Sequence, residues 1–279
     1  MEERTSGFVQ ILREICREEE IRLQSFSDNW AHRLEKDGQT GFIVGYSFGL
    51  NSASVQEICR DKALTSMFLA EKSVPAAEHC FLPLPLSLTD EEMKAYLELC
   101  RTLLERDGRL VLKDNYGTGG NRVYRIESLR EAEETLRKIQ GFSYAAALSP
   151  YYPIDAEYRV VMLDKKAELV IRKERAYRIE NGKKVFTEWR HNLGQGATGV
   201  METDERRISE LSALAHSALQ AIPARFASVD IIRVGEELRV LEINGGVMLE
   251  HFASQNASCR AEAKRVYRGA VLKMLAKAE

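Results

Sequence analysis

The chain has 279 residues, 44% of them hydrophobic and 29% charged, with 40 Lys and Arg against 42 Asp and Glu for a formal net charge of −2. Such a composition belongs to an ordinary globular protein, long enough for two compact domains or one large domain with a subdomain. The balance of charge disfavours a nucleic-acid partner, whose recognition needs a basic stripe. No apolar run approaches the ~18 residues that span a bilayer, and the charged first five residues lead into an amphipathic segment, so the expectation is a cytoplasmic protein with no membrane partner. Five widely spaced cysteines without a C-x-x-C pair read as small core residues, implying neither a zinc site nor a disulfide framework.

In chain order, residues 7–19 carry Phe8, Ile11, Leu12, Ile15 and Cys16 at helical spacing, and the alternation over 21–26 reads as a strand. A more buried strand follows at 41–48, and Asn51 is placed to cap a helix that carries Val55, Ile58 and Cys59 and ends near Asp61. The first 60 residues thus read as a short β-α-β layer, an accessory with too few strands for a full nucleotide-binding sheet. A helix closed before Pro75 leads to a strand at 79–84. The capping box Thr89 and Glu92 starts a helix over 90–106 that Gly108 ends. A strand over 109–113 finishes in Lys113 and runs into Gly117, Thr118, Gly119 and Gly120; residues 124–126 return as a strand, and Ser128 with Glu131 caps a helix to about Ile139.

Glycines let a backbone turn tightly and present N–H groups to an anion, which Lys113 could also reach. The loop lacks the Gly-Lys-Ser/Thr of a Walker A motif and the third glycine and following helix of G-x-G-x-x-G, and a plain hairpin turn has the same sequence. Beyond it, an apolar strand over 143–152 runs into a Pro150–Pro153 connector, the best candidate for an interdomain hinge. Residues 157–163 and 167–172 form a hairpin through 164–166, with Glu157 and Arg159 on one face, as a solvated pair would also be. Arg190, His191 and Asn192 sit in a glycine-bearing loop where His191 alone reads as structural. A helix over 206–221 delivers the chain to residues 227–246, and another over about 254–277 closes it.

In 227–246 two β-branched runs flank Gly235 and Glu236, the pattern of an antiparallel hairpin. With the turn centred on Glu236, Asp230 faces Glu242, their Cβ atoms roughly 4.5–5.5 Å apart. Asn244 shares that face, with Ile232, Leu238 and Val240 as its apolar wall. Opposed carboxylates there need a compensating cation, and three oxygen donors without Cys or His suit Mg²⁺. A hairpin with acidic residues on its solvent face has the same sequence.

Taken in order, Asp61-Lys62, Lys113 with Gly117-x-Gly119-Gly120, Glu157-x-Arg159, Arg190-x-Asn192 and Asp230 with Glu242-x-Asn244 resemble the ATP-grasp superfamily of carboxylate ligases over roughly residues 60–250. The Glu-x-Arg and Arg-x-Asn elements look most like the branch containing ribosomal-protein glutamate ligase, the lysine-biosynthesis amino-group-carrier ligases and cyanophycin synthetase. The resemblance implies an α+β fold in which two α+β subdomains grip ATP: a short N-terminal α/β layer over 1–60, a small subdomain with a glycine flap over 61–147, and a C-terminal subdomain with a metal-binding hairpin over 148–279. It implies Lys62 and Lys113 on the phosphates, Gly117, Thr118, Gly119 and Gly120 closing over them, the backbone of Ala147, Leu148 and Tyr151 against adenine, and Glu157 on the ribose. Asp230, Glu242 and Asn244 would hold two Mg²⁺ ions, with Mn²⁺ able to substitute. Arg159, Arg172, Arg190 and Asn192 would stabilise the transferring phosphoryl group or the acylphosphate.

The activity so implied is ADP-forming ligation of a small-molecule or peptide carboxylate to an amine through an acylphosphate. An ATP-grasp kinase and a nucleotide-binding regulatory protein without ligase chemistry are the alternatives. The chain departs from the family in three places. Its N-terminal layer is short, leaving room for an unusual substrate, a second copy or a partner subunit to complete it. Asp114 follows Lys113 where many members have proline, and Gly245 to Glu250 replace a frequent Pro-Gly turn.

Overall fold

The computed structural model describes residues 6–180, 183–186, 191, 193 and 196–277. The chain begins with α1 (Gly7–Glu18), capped by Ser6, whose buried stripe of Phe8, Ile11, Leu12, Ile15 and Cys16 follows the helical spacing of the sequence. Four strands follow as an antiparallel meander: β1 (Arg22–Phe26), β2 (Ala31–Lys36), β3 (Gln39–Val44) and β4 (Ser47–Phe48). This corrects the expected β-α-β layer. The additional strand β2 buries only His32 and Leu34, and the charged residues alternating with them hid it from a search for apolar runs. Asn51 is not the cap of α2 (Ala53–Arg60); Ser52 is. The Asn51 side chain donates to the Phe226 carbonyl at 2.7 Å and accepts from the N–H groups of Arg225 and Phe226, pinning this layer to the far end of the chain. Asp61 caps α3 (Lys62–Glu71) by accepting from the Leu64 N–H.

The middle of the chain builds a four-stranded sheet with its own core. Its elements are β5 (Cys80–Pro83), α4 (Asp90–Asp107), β6 (Leu110–Asp114), β7 (Val123–Ile126), α5 (Leu129–Gln140) and β8 (Ala145–Pro150), in the antiparallel order β5-β8-β6-β7. The capping box of Thr89 and Glu92 and a left-handed Gly108 bound α4 as the sequence indicates. Leu82, Cys100, Leu110, Leu136 and Leu148 pack between this sheet and the two helices.

The rest of the chain comprises β9 (Ala156–Leu163), β10 (Lys166–Glu174), β11 (Tyr177–Glu180), β12 (Lys183–Phe186), β13 (Thr198–Met201), α6 (Glu205–Ala221), β14 (Phe226–Val234), β15 (Glu237–Asn244), α7 (Glu250–Ala253) and α8 (Ala257–Met274). Five of these strands form an antiparallel sheet in the order β13-β10-β9-β14-β15, while β11 and β12 pair as a separate ribbon. No described helix is long and apolar enough to cross a membrane.

Strand alternation gives the large sheet two different faces. On one, Tyr158, Val160, Val170, Val229, Ile231, Val240 and Ile243 bury beneath α6 together with Cys59 of α2 and Leu69 of α3. On the other, Val161, Leu163, Ile171 and Phe226 share a core with Phe8, Leu12, Leu34, Phe48 and the buried stripe of α8. The N-terminal layer is therefore the second half of the large sheet's own core. That cover stops partway along the strands, and Glu157, Arg159, Lys173 and Asp230 stand where it ends.

Leu12→Ala should accordingly destabilise the large sheet along with the N-terminal layer, by about 2–5 kcal/mol for a fully buried leucine. Native-state hydrogen exchange should accelerate in α8 and β10 as well as in α1. Acceleration confined to residues 7–50 would show that the layer folds on a core of its own.

Candidate active site

Two hairpins set the polar end of the large sheet by the same device. Between β9 and β10 the chain turns through Asp164 and Lys165, both at positive φ (44° and 70°), so that Leu163 faces Lys166. An extra residue in β10 between Ala167 and Leu169 then shifts the register and brings Lys173 opposite Glu157. Between β14 and β15 Val234 faces Glu237 across Gly235 and Glu236, and an extra residue in β15, Leu241, brings Glu242 opposite Asp230. The facing carboxylates expected from the sequence are present, although the turn sits half a residue earlier and the bulge restores their register. Ahead of the bulge the expected apolar wall is corrected: Leu238 and Val240 lie on the opposite face, packed in the core beneath α6.

Because β14 lies beside β9, Asp230 is adjacent to Arg159. The guanidinium donates through Nε to Oδ1 and through Nη2 to Oδ2 of Asp230, both at 2.8 Å, and its Nη1 reaches the Met248 carbonyl at 3.3 Å. Lys173 extends from β10 to donate to Asp230 Oδ2 at 2.8 Å and to Glu157 Oε1 at 2.6 Å. Asp230 is 1% exposed, and Glu157 and Lys173 are 6% exposed. Burial works against the Asp230 charge, yet Arg159 and Lys173 together hold its carboxyl well below the usual carboxylate range. Burial likewise works against the Lys173 charge and is outweighed by Asp230 and Glu157, so its pKa is raised. Glu157 is raised, first by burial and then by the nearby Asp230 charge, because it has only a share in Lys173. His191 Nδ1 lies 3.7 Å from Glu157 Oε2; burial, reinforced by Arg175 and Lys173, pushes the imidazole down to about 4, so it is neutral at pH 7.

The compensating cation that opposed carboxylates require is thus supplied to Asp230 by the chain itself. Lys173 was absent from the expected set, although equal spacing about Lys165 places it opposite Glu157.

This polar end faces the small sheet across a cleft of about 720 Å³. From the small-sheet side Lys113 enters at the end of β6; burial, then the neighbouring Lys62, push its amine down to about 8. Lys62, in the first turn of α3, donates to the carbonyls of Asn115 and Gly117 at 3.2 and 2.5 Å, and burial lowers its pKa too. Residues 115–122 join β6 to β7 over these lysines. Their root is anchored: Asp114 Oδ1 accepts from the Tyr116 N–H and the Ser143 hydroxyl, and the Asn115 side chain accepts from the Ala63 N–H. Their tip is exposed at Thr118 and Gly119, and Gly119 and Gly120 adopt φ of 68° and 65°, where a side chain would be strained. Across the cleft Glu242 Oε1 accepts from Asn244 Nδ2 at 3.2 Å.

Of the residues expected to form a site, Lys62, Lys113, Gly117, Thr118, Gly119, Gly120, Tyr151, Glu157, Arg159, Asp230, Glu242 and Asn244 all line this one cleft. Ala147 and Leu148 do not. They belong to β8, an interior strand paired with β5 on one side and β6 on the other, so their backbone groups are committed to the sheet, and Ser149 to Tyr152 form the wall instead. Arg172 is also corrected: adjacent to Lys173, it points by alternation to the opposite face with Val170, and pairs with Glu174 at 2.7 Å. Arg190 and Asn192 lie outside the described residues. Trp30, Val44 and Tyr46 of the N-terminal layer, and Tyr152 and Met248, line the cleft without having been expected there.

The donors fit a metal unequally. Glu242 and Asn244 offer oxygens that suit a hard divalent cation, and Glu242 has no ion pair among the described residues. Asp230 is already engaged: its two oxygens accept three hydrogen bonds from Arg159 and Lys173, and a metal ion there would meet two cations. Among the described residues no three His, Cys, Asp or Glu side chains gather into a metal-binding group.

No family profile matches the chain, and no curated protein matches it significantly. Solved structures do. A bifunctional glutathione synthetase from Pasteurella multocida superposes with a TM-score of 0.60 at 12% identity, over 96% of this chain and 45% of that one. D-alanine-D-alanine ligase from Bacillus anthracis gives 0.56 at 16% identity, over 78% and 66% of the two chains. The ATP-grasp ligase PsnB, solved with a minimal precursor, gives 0.52 at 15% identity, over 77% and 64%. The chain therefore has the α+β fold of ATP-grasp ligases, and it spans about two thirds of the length of the latter two and under half of the first. These matches favour no particular branch of that fold.

Lys113 gives the cleft a testable pH dependence. Its amine is charged below about pH 8 and neutral above, and a polyanion bound over it favours the charged form. The affinity of a polyanion such as ATP for this cleft, measured by calorimetry, is expected to fall as pH rises beyond about 8. Lys113→Met should bind ATP roughly 10–100-fold more weakly at pH 7, the loss of a charged hydrogen bond, and should show no such fall. The same decline in the variant would assign it to another group.

Proposed function

We propose that this chain is an ATP-dependent, ADP-forming carboxylate-amine ligase. The observation that carries the reading is the convergence of two burial-depressed lysines, a glycine loop and an oxygen-rich hairpin on one cleft, in the fold of ATP-grasp ligases. ATP lies between the small sheet and the large one, its base against the 151–154 connector and its phosphates over Lys62 and Lys113. The 115–122 loop turns its N–H groups onto the phosphates, and Lys62 exchanges loop carbonyls for phosphate oxygens. The ribose falls to Glu157 Oε2, the oxygen that Lys173 leaves open. Arg159, committed to Asp230 and the Met248 carbonyl, fixes the floor on which the acceptor sits. Arg190 and Asn192 are assigned to the acylphosphate. Mg²⁺, held by Glu242 and Asn244, would neutralise phosphate charge. A division into residues 1–60, 61–147 and 148–279 describes which parts grip and which part supports.

The substrate carboxylate, from a small molecule or a peptide, attacks the γ-phosphorus in line as the bond from that phosphorus to the bridging oxygen breaks, its electrons leaving with ADP. An amine then attacks the acyl carbon and gives up a proton as the carbon–oxygen bond breaks and inorganic phosphate departs. The chain's part is positioning and charge neutralisation.

Hydroxylamine can stand in for the amine and traps an acylphosphate as a stable hydroxamate. In a screen of carboxylates with ATP and Mg²⁺, hydroxamate should accumulate in step with ADP for the right acid, and Glu242→Gln should lower both by about 100-fold or more, as for other groups that stabilise transition-state charge. A phosphorylated product stable to hydroxylamine would make the chain a kinase. Nucleotide binding without ADP formation from any acid would make it a regulatory protein.

A further inference from the structure

Resting on that reading, the buried ion network carries a statement about how many metal ions the site accepts. We propose that Lys173 is a resident cation standing in for a second divalent ion, so that the site takes one metal ion with its nucleotide where the family resemblance implies two.

Two ions would have to be held by Asp230, Glu242 and Asn244 together. The two oxygens of Asp230 already receive three hydrogen bonds, all at 2.8 Å: two from Arg159 and one from Lys173. Neither cation has an easy alternative. The Lys173 side chain is 5% exposed and bridges carboxylates on two different strands, so moving it aside for a metal would leave Glu157, whose side chain is 8% exposed, without a cation. Arg159 is held in a bidentate pair and by the Met248 carbonyl. A divalent ion added without displacing either would sit beside two cations at a place where four charges already cancel.

Glu242 presents the opposite case. It is half-buried, and its one hydrogen bond among the described residues is the 3.2 Å contact from Asn244. With Asn244 Oδ1 and phosphate oxygens it can complete the shell of a single ion that keeps several waters. Lys173 meanwhile joins two strands as a bridging metal would, and it is present whatever the free metal concentration. Lys173 acts through Asp230 and Glu157, as a positioning residue.

The test counts ions. The full chain would be saturated with an ATP analogue whose β–γ bridge is nitrogen, bound analogue measured by equilibrium dialysis, and bound Mn²⁺ measured in the same cells by electron paramagnetic resonance of the free ion. One Mn²⁺ per bound nucleotide is expected for the native chain and two for Lys173→Met, or for Lys173→Gln if the methionine variant does not fold by circular dichroism. Two ions in the native chain would overturn the proposal, as would one ion in both proteins. Where neither variant folds, the native count decides alone. If the analogue itself fails to bind, the dialysis shows that the nucleotide reading has failed, separately from the count.

Discussion

A carboxylate taken out of water on the face of a sheet must be met by a cation, and Asp230 is met by two. Arg159 comes from the adjacent strand and Lys173 from the strand beyond it, with Glu157 completing a set of two anions and two cations. Removing one partner of a buried pair costs about 3–5 kcal/mol, because the other is left uncompensated. A one-residue slip in either hairpin would turn the slipped strand's charged members to the wrong face. The network and the two bulged hairpins therefore specify one another: the bulges bring Lys173 and Glu242 into register, and the charges make any other register costly.

The rest of the molecule is arranged around that polar end. The same sheet face is apolar where α1, the N-terminal meander and α8 cover it, and polar where the cover stops. The small sheet, with a core of its own, completes the cleft and carries Lys113 and the glycine loop. Along one face of one sheet the sequence thus changes from core to chemistry within two residues, from Val161 to Arg159 on β9 and from Ile171 to Lys173 on β10.

Elements that announce themselves locally were legible from the sequence: α1, the capped α4 and α5, the strand–glycine loop–strand unit, and both large hairpins. The Asp230–Glu242 pair is legible only by cancellation, because a count centred on Glu236 runs half a residue late and the extra residue Leu241 offsets it. Lys173 is legible by the same turn-centred count about Lys165, whereas its neighbour Arg172, equally cationic, faces the other way by strand alternation. Ala147 and Leu148 could not be excluded from the cleft without knowing that β8 is an interior strand, which is a fact of sheet order. The strand β2 escaped because half of a strand that faces solvent carries no apolar signal. The shared core of the N-terminal layer and α8 is set by contacts more than 200 residues apart, as between the rings of Phe8 and Tyr267, and no local pattern encodes them.

In the proposed function nucleotide lies between the glycine loop and the large sheet, and its binding should be visible in hydrogen exchange over residues 115–122 with and without ATP and Mg²⁺. The loop's root is anchored while its glycine tip is exposed, so nucleotide should slow exchange at Thr118, Gly119 and Gly120 far more than at Asn115, together with slowing around Glu157 and Glu242. Identical exchange across 115–122 in the presence of saturating ATP and Mg²⁺ would contradict that placement.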